Sequence, residues 1–323
     1  MREISTTGSL LDIQFGQDIY VGDDVYIVEE IRKGGMALVA LLARRNVNPD
    51  KLSYWLPRNI AVKVPLKRAN FLASELKKWS LMFHGNIAQL NEILISKKDG
   101  FVAVSERCEG SLRELVKSKV IFREDEAYQV IRSCAEALSY AYSSHSVLHL
   151  DIKPENILFG KRKFVSGVAK SPMTFDRNFI LAASFLVTDW GISSSKLNSL
   201  GSKYEDKWLE TNNNGGTIPY MAPERYLKGW RSSPASDIFS LAMMWLELLC
   251  GHLPFNLASD IPHQILSGEY YSTATDMLNK APVRPKVRRV ILDFITPNPN
   301  KRTHNWEQAM QRIRPSFFES LFA

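Results

Sequence analysis

Apolar residues over the first hundred positions come in short, β-branched runs broken by glycine, asparagine and proline, as in Asp24 to Ile31, Asn59 to Val64 and Phe101 to Val104. Such runs predict strands. One stretch departs from that rhythm: from Asn70 to Phe83 the residues Phe71, Leu72, Leu76, Trp79 and Phe83 recur at helical spacing, which predicts a helix. Beyond Gly110 the period changes, and Leu112 to Val120, Glu124 to Tyr142, Pro234 to Leu249 and Asn305 to Ile313 all predict helices. The expected architecture is α+β and two-lobed. A small β-rich lobe covers about 24–105, a hinge about 106–110 and a larger helical lobe about 111–314, with a lead segment at 1–23 and a tail at 315–323. No linker composition separates the lobes, so they are expected to face each other across a cleft.

Composition narrows the class. Of the 323 residues 45% are apolar, enough for a sizeable core and too many for a disordered chain. Cys108, Cys134 and Cys250 are odd in number and far apart, which fits neither a disulfide framework nor a cysteine-based zinc site and suggests a reducing compartment. His84, His145, His252, His263 and His304 have no metal-ligand spacing. The start, MREISTTGSL, lacks the apolar core of a signal peptide, and the longest near-apolar run, Ile238 to Cys250, is 13 residues interrupted by Ser240 and Glu247. That run is too short for a bilayer, so a cytoplasmic protein without a membrane span is expected. The net charge of +7, from 41 basic and 34 acidic residues, is not clustered into a nucleic-acid footprint. Nucleic acid is not an expected partner.

The chemistry is concentrated in HLDIKPENILF, His149 to Phe159. Asp151 can accept a hydroxyl proton, Lys153 adds a positive charge two residues on, and Asn156 offers an amide oxygen to a metal. Phosphoryl transfer needs a positioned base, a cation near the moving phosphate and a Mg²⁺ ligand. Thirty-three residues beyond Asn156 stands VTDWG, where Asp189 follows an apolar strand and precedes a glycine. A carboxylate there can bridge Mg²⁺ to phosphate oxygens. Upstream, NIAVKV puts Lys63 after Ile60 and Val62, with Glu75 twelve residues later on the expected helix.

Taken in order, these strings resemble the Hanks-type (eukaryotic-like) serine/threonine protein kinases over about residues 24 to 314. The resemblance implies that Asp151, Lys153 and Asn156 are catalytic and that Asn156 and Asp189 hold Mg²⁺. It also implies that Lys63, paired with Glu75, contacts ATP. The glycine-rich loop aligns with Arg32 to Val39, where only the middle glycine, Gly34, remains; Arg32 and Ala37 replace the outer two. Since glycines let backbone amides approach phosphates closely, a looser grip on ATP is expected. Val39, Ala61 and Leu158 would sandwich adenine, Ser105 would lie behind it, and Glu106 to Cys108 would form the hinge that bonds it. His149, Trp190, Trp79 and Leu90 match the family's apolar stack.

Further along, GGTIPYMAPE resembles the end of an activation segment, with Thr217 beside the catalytic Asp; Asp237 matches the anchor of the catalytic loop and Arg302 the partner of Glu224. Leu150 stands where kinases switched by loop phosphorylation usually carry an arginine. Glu155 falls where some kinases contact a substrate arginine. Insertions relative to the family lie between Phe159 and Phe185 and in the activation segment, from Asp189 to Glu224, 35 positions on. The basic run Arg284 to Arg289 is expected to pack its stems and solvate its charges. The implied activity is transfer of the γ-phosphate of Mg-ATP to serine or threonine of protein substrates, the chain itself included. Two rivals stand beside it: a pseudokinase scaffold, favoured by Arg32 and Ala37, and a small-molecule phosphotransferase, which lacks the long activation segment and the Ala222-Pro223-Glu224 string.

Overall fold

The computed structural model describes residues 2–34, 37–45, 56–66, 75–161, 180, 183–190, 194–195, 216–227 and 232–314. Gly35 and Met36 of the glycine-rich loop, Phe71, Leu72, most of the 160–185 insertion and most of the segment from Asp189 to Glu224 lie outside them. Contacts divide the chain into two units, Met1–Glu109 and Gly110–Ala323.

The first unit is a seven-stranded antiparallel sheet. Its strands are β1 (Ile4–Ser5), β2 (Asp18–Val21), β3 (Asp24–Lys33), β4 (Ala37–Arg44), β5 (Asn59–Pro65), β6 (Leu90–Ser96) and β7 (Gly100–Glu106). Their order is β1-β2-β3-β4-β5-β7-β6. The two ends meet: the Ile95 amide donates to the Arg2 carbonyl at 3.0 Å, and Glu3 bridges Ile95 in parallel. The two edge strands therefore touch at this one point. Alternation sends Ile60, Val62 and Val64 to the core with Val28, Leu38, Leu42, Leu94, Val102 and Val104. The segment 1–23, expected as a lead segment, supplies β1 and β2 to this sheet, and its Ile4, Leu10, Ile13, Ile19 and Val21 are in the core. Strands of two and four residues are too short to display a period.

Residues 75–79 are helical and the chain turns at 80–81. Phe83, which shares the helical spacing, lies past the turn and is 79% exposed. The Leu81 amide donates to the Lys78 carbonyl at 3.2 Å and the Met82 amide to the Trp79 carbonyl at 3.1 Å, so the chain tightens into a turn before the apolar repeat ends.

The second unit is mainly helical: α1 (Leu112–Lys117), α2 (Glu124–His145), α3 (Pro234–Cys250), α4 (Ile261–Ser267), α5 (Glu269–Lys280), α6 (Pro285–Phe294) and α7 (Trp306–Ile313). Every residue of α3 from Pro234 to Leu249 is buried, Pro234 opens it, and Gly251 at φ +80° closes it, as the preferences for proline at the first turn and glycine past the last one require. The run Arg284 to Arg289 enters α6, where Arg284 pairs with Glu124. Two small sheets carry the loops of interest. One has β10 (Ile157–Lys161) between β11 (Ala183–Val187) and β8 (Gly110–Ser111); the other pairs β9 (Val147–Leu148) with β12 (Ser194–Ser195). Gly110 is required by close packing: a Cβ there would stand 2.7 Å from the Phe159 ring and from the Glu114 carboxylate.

Candidate active site

Between β9 and β10 the chain makes a loop whose shape is set by its backbone. Leu150 has φ +67°, a conformation that costs a branched L-residue about 1 to 3 kcal/mol and persists only where neighbours impose it. They do so from both sides. The Leu150 amide donates to Asp237 Oδ1 at 2.7 Å and the His149 amide to Asp237 Oδ2 at 2.8 Å; the Leu150 carbonyl accepts from Arg225 Nη1 at 2.5 Å. Asp237, near the start of α3, is buried, and burial pushes its pKa up against the pull of His149, the two amides and Arg225. Burial likewise pulls the Arg225 guanidinium below its usual range, opposed by the carboxylates of Asp237, Asp151 and Glu224.

That pinned turn delivers Asp151. Its Oδ1 accepts from Thr217 Oγ1 at 2.9 Å. Its Oδ2 pairs with Lys153 Nζ at 2.7 Å and accepts from Asn156 Nδ2 at 3.1 Å. Lys153 Nζ also donates to Thr217 Oγ1 at 2.6 Å. The expected catalytic residues Asp151, Lys153 and Asn156 therefore form one hydrogen-bonded cluster with the threonine of the activation segment. A carboxylate fixed by three donors holds its orientation, and the Thr217 hydroxyl marks a position from which an alcohol donates to Oδ1.

Asn156 also donates through Nδ2 to the Asp151 carbonyl at 2.8 Å, which leaves its amide oxygen as the end available to a cation. The Asn156 carbonyl accepts from the Thr188 amide at 3.0 Å, stitching the loop to the residue before Asp189, whose own φ is +67°. His149 completes the join. Its Nδ1 accepts from the Asp151 amide at 3.2 Å, its Nε2 lies 3.0 Å from the Thr188 carbonyl, and its ring packs 4.7 Å from that of Trp190. An Nε2–H tautomer satisfies both contacts. Asn156 and Asp189 thus lie on adjoining segments.

Glu224 and Arg302 meet with no side-chain exposure at 3.0 Å. Ser236 Oγ donates to Glu224 Oε1 at 2.9 Å, and Arg302 reaches the Thr296 carbonyl and lies over the Phe239 ring.

In the first unit, β5 lies between β4 and β7, with Lys63 opposite Val39 and Ala103, and Ala61 opposite Leu41 and Ser105. Lys63 Nζ is 2.7 Å from Glu75 Oε1, and Glu75 is buried. Gly34 and Ala37 close the β3–β4 hairpin through a 2.9 Å amide–carbonyl bond, while Arg32 turns to Glu30 at 2.6 Å. Glu106, expected in the hinge, is the last residue of β7; its amide donates to the Gln89 carbonyl at 3.2 Å and its carboxylate accepts from the Gln89 amide at 2.8 Å. Burial, with Glu106 and Glu109 adding to it against Arg32, pushes the Cys108 thiol up to about 12. Leu158 belongs to the second unit, on β10 opposite Ser111 and Leu186.

A description of the protein kinase domain matches residues 58–313. The chain belongs to the protein kinase family. Membership implies use of ATP and a divalent metal in general terms. The kinase domain is similar to a probable serine/threonine-protein kinase PknB of Lactococcus lactis, at 24% identity over 94% of this chain and 43% of that protein. It is also similar to serine/threonine-protein kinase 33 of Bos taurus, at 28% over 76% and 43%, and to a calcium/calmodulin-dependent protein kinase type 1 of Macrobrachium nipponense, at 27% over 77% and 64%. The chain therefore spans less than two thirds of the length of these relatives. Among the described residues no helix is long and apolar enough to cross a membrane, and no cluster of three His, Cys, Asp or Glu could hold a metal by itself.

Sequence reading of the kinase domain did not single out Arg113, Tyr220, Arg225 or the pairing of Glu247. Arg113 Nη1 is 2.7 Å from Glu247 Oε1, and the Tyr220 hydroxyl donates to Glu247 Oε2 at 2.5 Å. One signal was available: Glu247 stands in the apolar stretch Leu241–Leu249 of α3, and a buried charge needs a partner.

Proposed function

We propose that this kinase domain transfers the γ-phosphate of ATP, as its magnesium complex, to serine and threonine hydroxyls of proteins, itself among them. The observation that carries the proposal is the contact of Thr217 Oγ1 with Asp151 Oδ1 at 2.9 Å beside Lys153. A hydroxyl already donates to the carboxylate in the manner an acceptor alcohol must for its proton to be taken as the oxygen attacks. Asp151 would act as base and Lys153 would stabilise charge near the transferred group. Lys63, oriented by Glu75, would bind the ATP phosphates, and Gly34, Val39, Ala61, Glu106, Cys108 and Leu158 would hold the nucleotide.

The donor set fits magnesium. Asn156 with its amide oxygen available and Asp189 on the adjoining segment offer few protein oxygens, and Mg²⁺ is commonly held by one or two carboxylates with water and substrate phosphates supplying the rest. A bound ion would neutralise charge that develops on the phosphates. The names of the relatives support serine and threonine as acceptors, and the Lys153-Pro154-Glu155-Asn156 string agrees with them. Three unpaired thiols suit a cytoplasmic location.

The test is incubation with γ-labelled ATP and Mg²⁺ and a generic protein substrate, followed by phosphoamino-acid analysis. Label on serine and threonine that disappears in Asp151→Asn is expected. ATP binding without transfer under any condition would instead favour a pseudokinase scaffold.

A further inference from the structure

Glu155 is the carboxylate nearest in sequence to the acceptor's base that a peptide could meet. It sits in the turn Pro154–Asn156, between Lys153 and Asn156, which both hold Asp151, and its side chain is 46% exposed. A peptide presenting a hydroxyl to Asp151 must pass within a few residues of it. An open carboxylate there would select a basic residue flanking the acceptor, which is the preference the sequence suggested.

The carboxylate is not open. Arg113, the second residue of α1, sets its guanidinium against it as a fork, Nε to Oε1 at 2.7 Å and Nη2 to Oε2 at 3.4 Å. Paired N–H groups facing both oxygens match the preferred arginine–carboxylate geometry. An ordinary exposed ion pair is worth little, because two long side chains must be ordered to form it. Arg113 is already ordered by other contacts. Its Nη1 is 2.7 Å from Glu247 Oε1, its Nη2 reaches the Tyr220 hydroxyl, and its side chain is 17% exposed. Burial opposes its charge, but Tyr220, Glu247 and Glu155 outweigh that and hold its pKa above the usual arginine range.

Resting on the reading of the domain as a protein kinase, we propose that Arg113 is a specificity-determining residue that occupies Glu155 from within, so that acceptor proteins are not selected for a basic residue beside the phosphorylated serine or threonine. A substrate arginine would have to displace a guanidinium anchored at two other points. Acceptors with neutral flanks are favoured only relative to basic ones, since specificity is a difference between affinities.

The experiment compares kcat/KM across peptides in which each position flanking one serine carries Arg, Ala or Glu, for the native chain, Glu155→Gln, Arg113→Gln and the double variant. Glutamine at 155 keeps one acceptor oxygen for Arg113, and glutamine at 113 keeps a donor for Glu247. The native chain and Glu155→Gln are expected to share the same Arg-to-Ala ratio at every position within about twofold. Arg113→Gln is expected to gain an Arg preference of about fivefold or more at one position, about 1 kcal/mol, which Glu155→Gln then removes. A native Arg preference that collapses in Glu155→Gln overturns the proposal, and that arm decides even if Arg113→Gln fails to fold. A folded, active Arg113→Gln with native selectivity also overturns it. Transfer by the native chain to none of the peptides would defeat the kinase reading and this proposal with it, an outcome distinct from transfer with the wrong selectivity.

Discussion

Arg225 Nη1 donates to the Leu150 carbonyl at 2.5 Å, so the end of the activation segment is tied by an internal cation to the residue that precedes Asp151. Gly216 packs into the same junction: at φ +132° it lies so close that a Cβ would be 3.0 Å from the Leu150 carbonyl and 3.1 Å from Arg225 Nη1. A leucine cannot pair a loop phosphate, and here the cation comes from the opposite direction and bonds backbone.

Order at the Asp151 loop should therefore not depend on phosphate. After phosphatase treatment and its removal, the initial rate on an added substrate is expected to stay within about twofold of the untreated enzyme, whereas Arg225→Met should lose about tenfold or more in kcat, equivalent to about 1.4 kcal/mol of barrier. A tenfold drop on dephosphorylation that recovers on rephosphorylation would contradict this.

The Glu224–Arg302 pair should be a stability determinant rather than a catalytic one. Arg302→Met leaves Glu224 buried with Ser236 alone among the partners described, and removing one member of a buried pair costs about 3 to 5 kcal/mol. Denaturant titration should read that loss. A change below about 1 kcal/mol would mean the pair is dispensable.

Asp99, in the turn between β6 and β7, ties that turn to Ser9 and Leu10. Its Oδ2 accepts from the Leu10 amide at 2.9 Å and from Ser96 Oγ at 2.8 Å, and its Oδ1 from Ser9. Burial works to raise its pKa, but the bonds from Ser9, Leu10 and Ser96, with Lys98, overcome it and hold the carboxyl below the ordinary range. A lowered folded pKa contributes stability that is present above the unfolded value, about 3.9, and is lost as pH falls through the folded one. Asp99→Asn should therefore melt lower than the native chain at neutral pH, and the gap should shrink as pH drops below about 4. A gap independent of pH would contradict the assignment.

Cys108 should be unreactive. With its thiol pushed up to about 12, the thiolate fraction at pH 8 is roughly a thousandfold below that of an ordinary cysteine, and alkylation follows the thiolate. Mass spectrometry after iodoacetamide treatment should find Cys108 modified only once the protein is denatured. Rapid modification of the native protein would show the thiol to be in a different environment.

Where elements are long, the pattern of the chain carried the fold. The helices at Glu124–His145 and Pro234–Cys250 are legible because an apolar stripe repeats over several turns in the first and most of the segment is apolar in the second. The two-residue β1 and four-residue β2 are not, since they become strands only by pairing with β3 and meeting β6. The chemistry followed the same division. Asp151, Lys153 and Asn156 are close in sequence and meet within one turn, so their spacing announces the cluster. Arg113 draws its role from Tyr220 and Glu247, 107 and 134 positions away, and Arg225 from Leu150, 75 positions away. Nothing local in either arginine's neighbourhood encodes those meetings.

The central claim is that Asp151 takes the acceptor's proton as one member of a catalytic unit. Its most direct test is single-turnover phosphotransfer with saturating Mg-ATP by the native chain, Asp151→Asn, Lys63→Met and the double variant. General-base help is worth about 10² to 10⁴ in rate, so Asp151→Asn is expected to fall by at least about a hundredfold while ATP still binds. The double variant should be little worse than either single one, since residues that act as a unit are not additive. Retention of more than about a third of the native rate by Asp151→Asn would contradict the account.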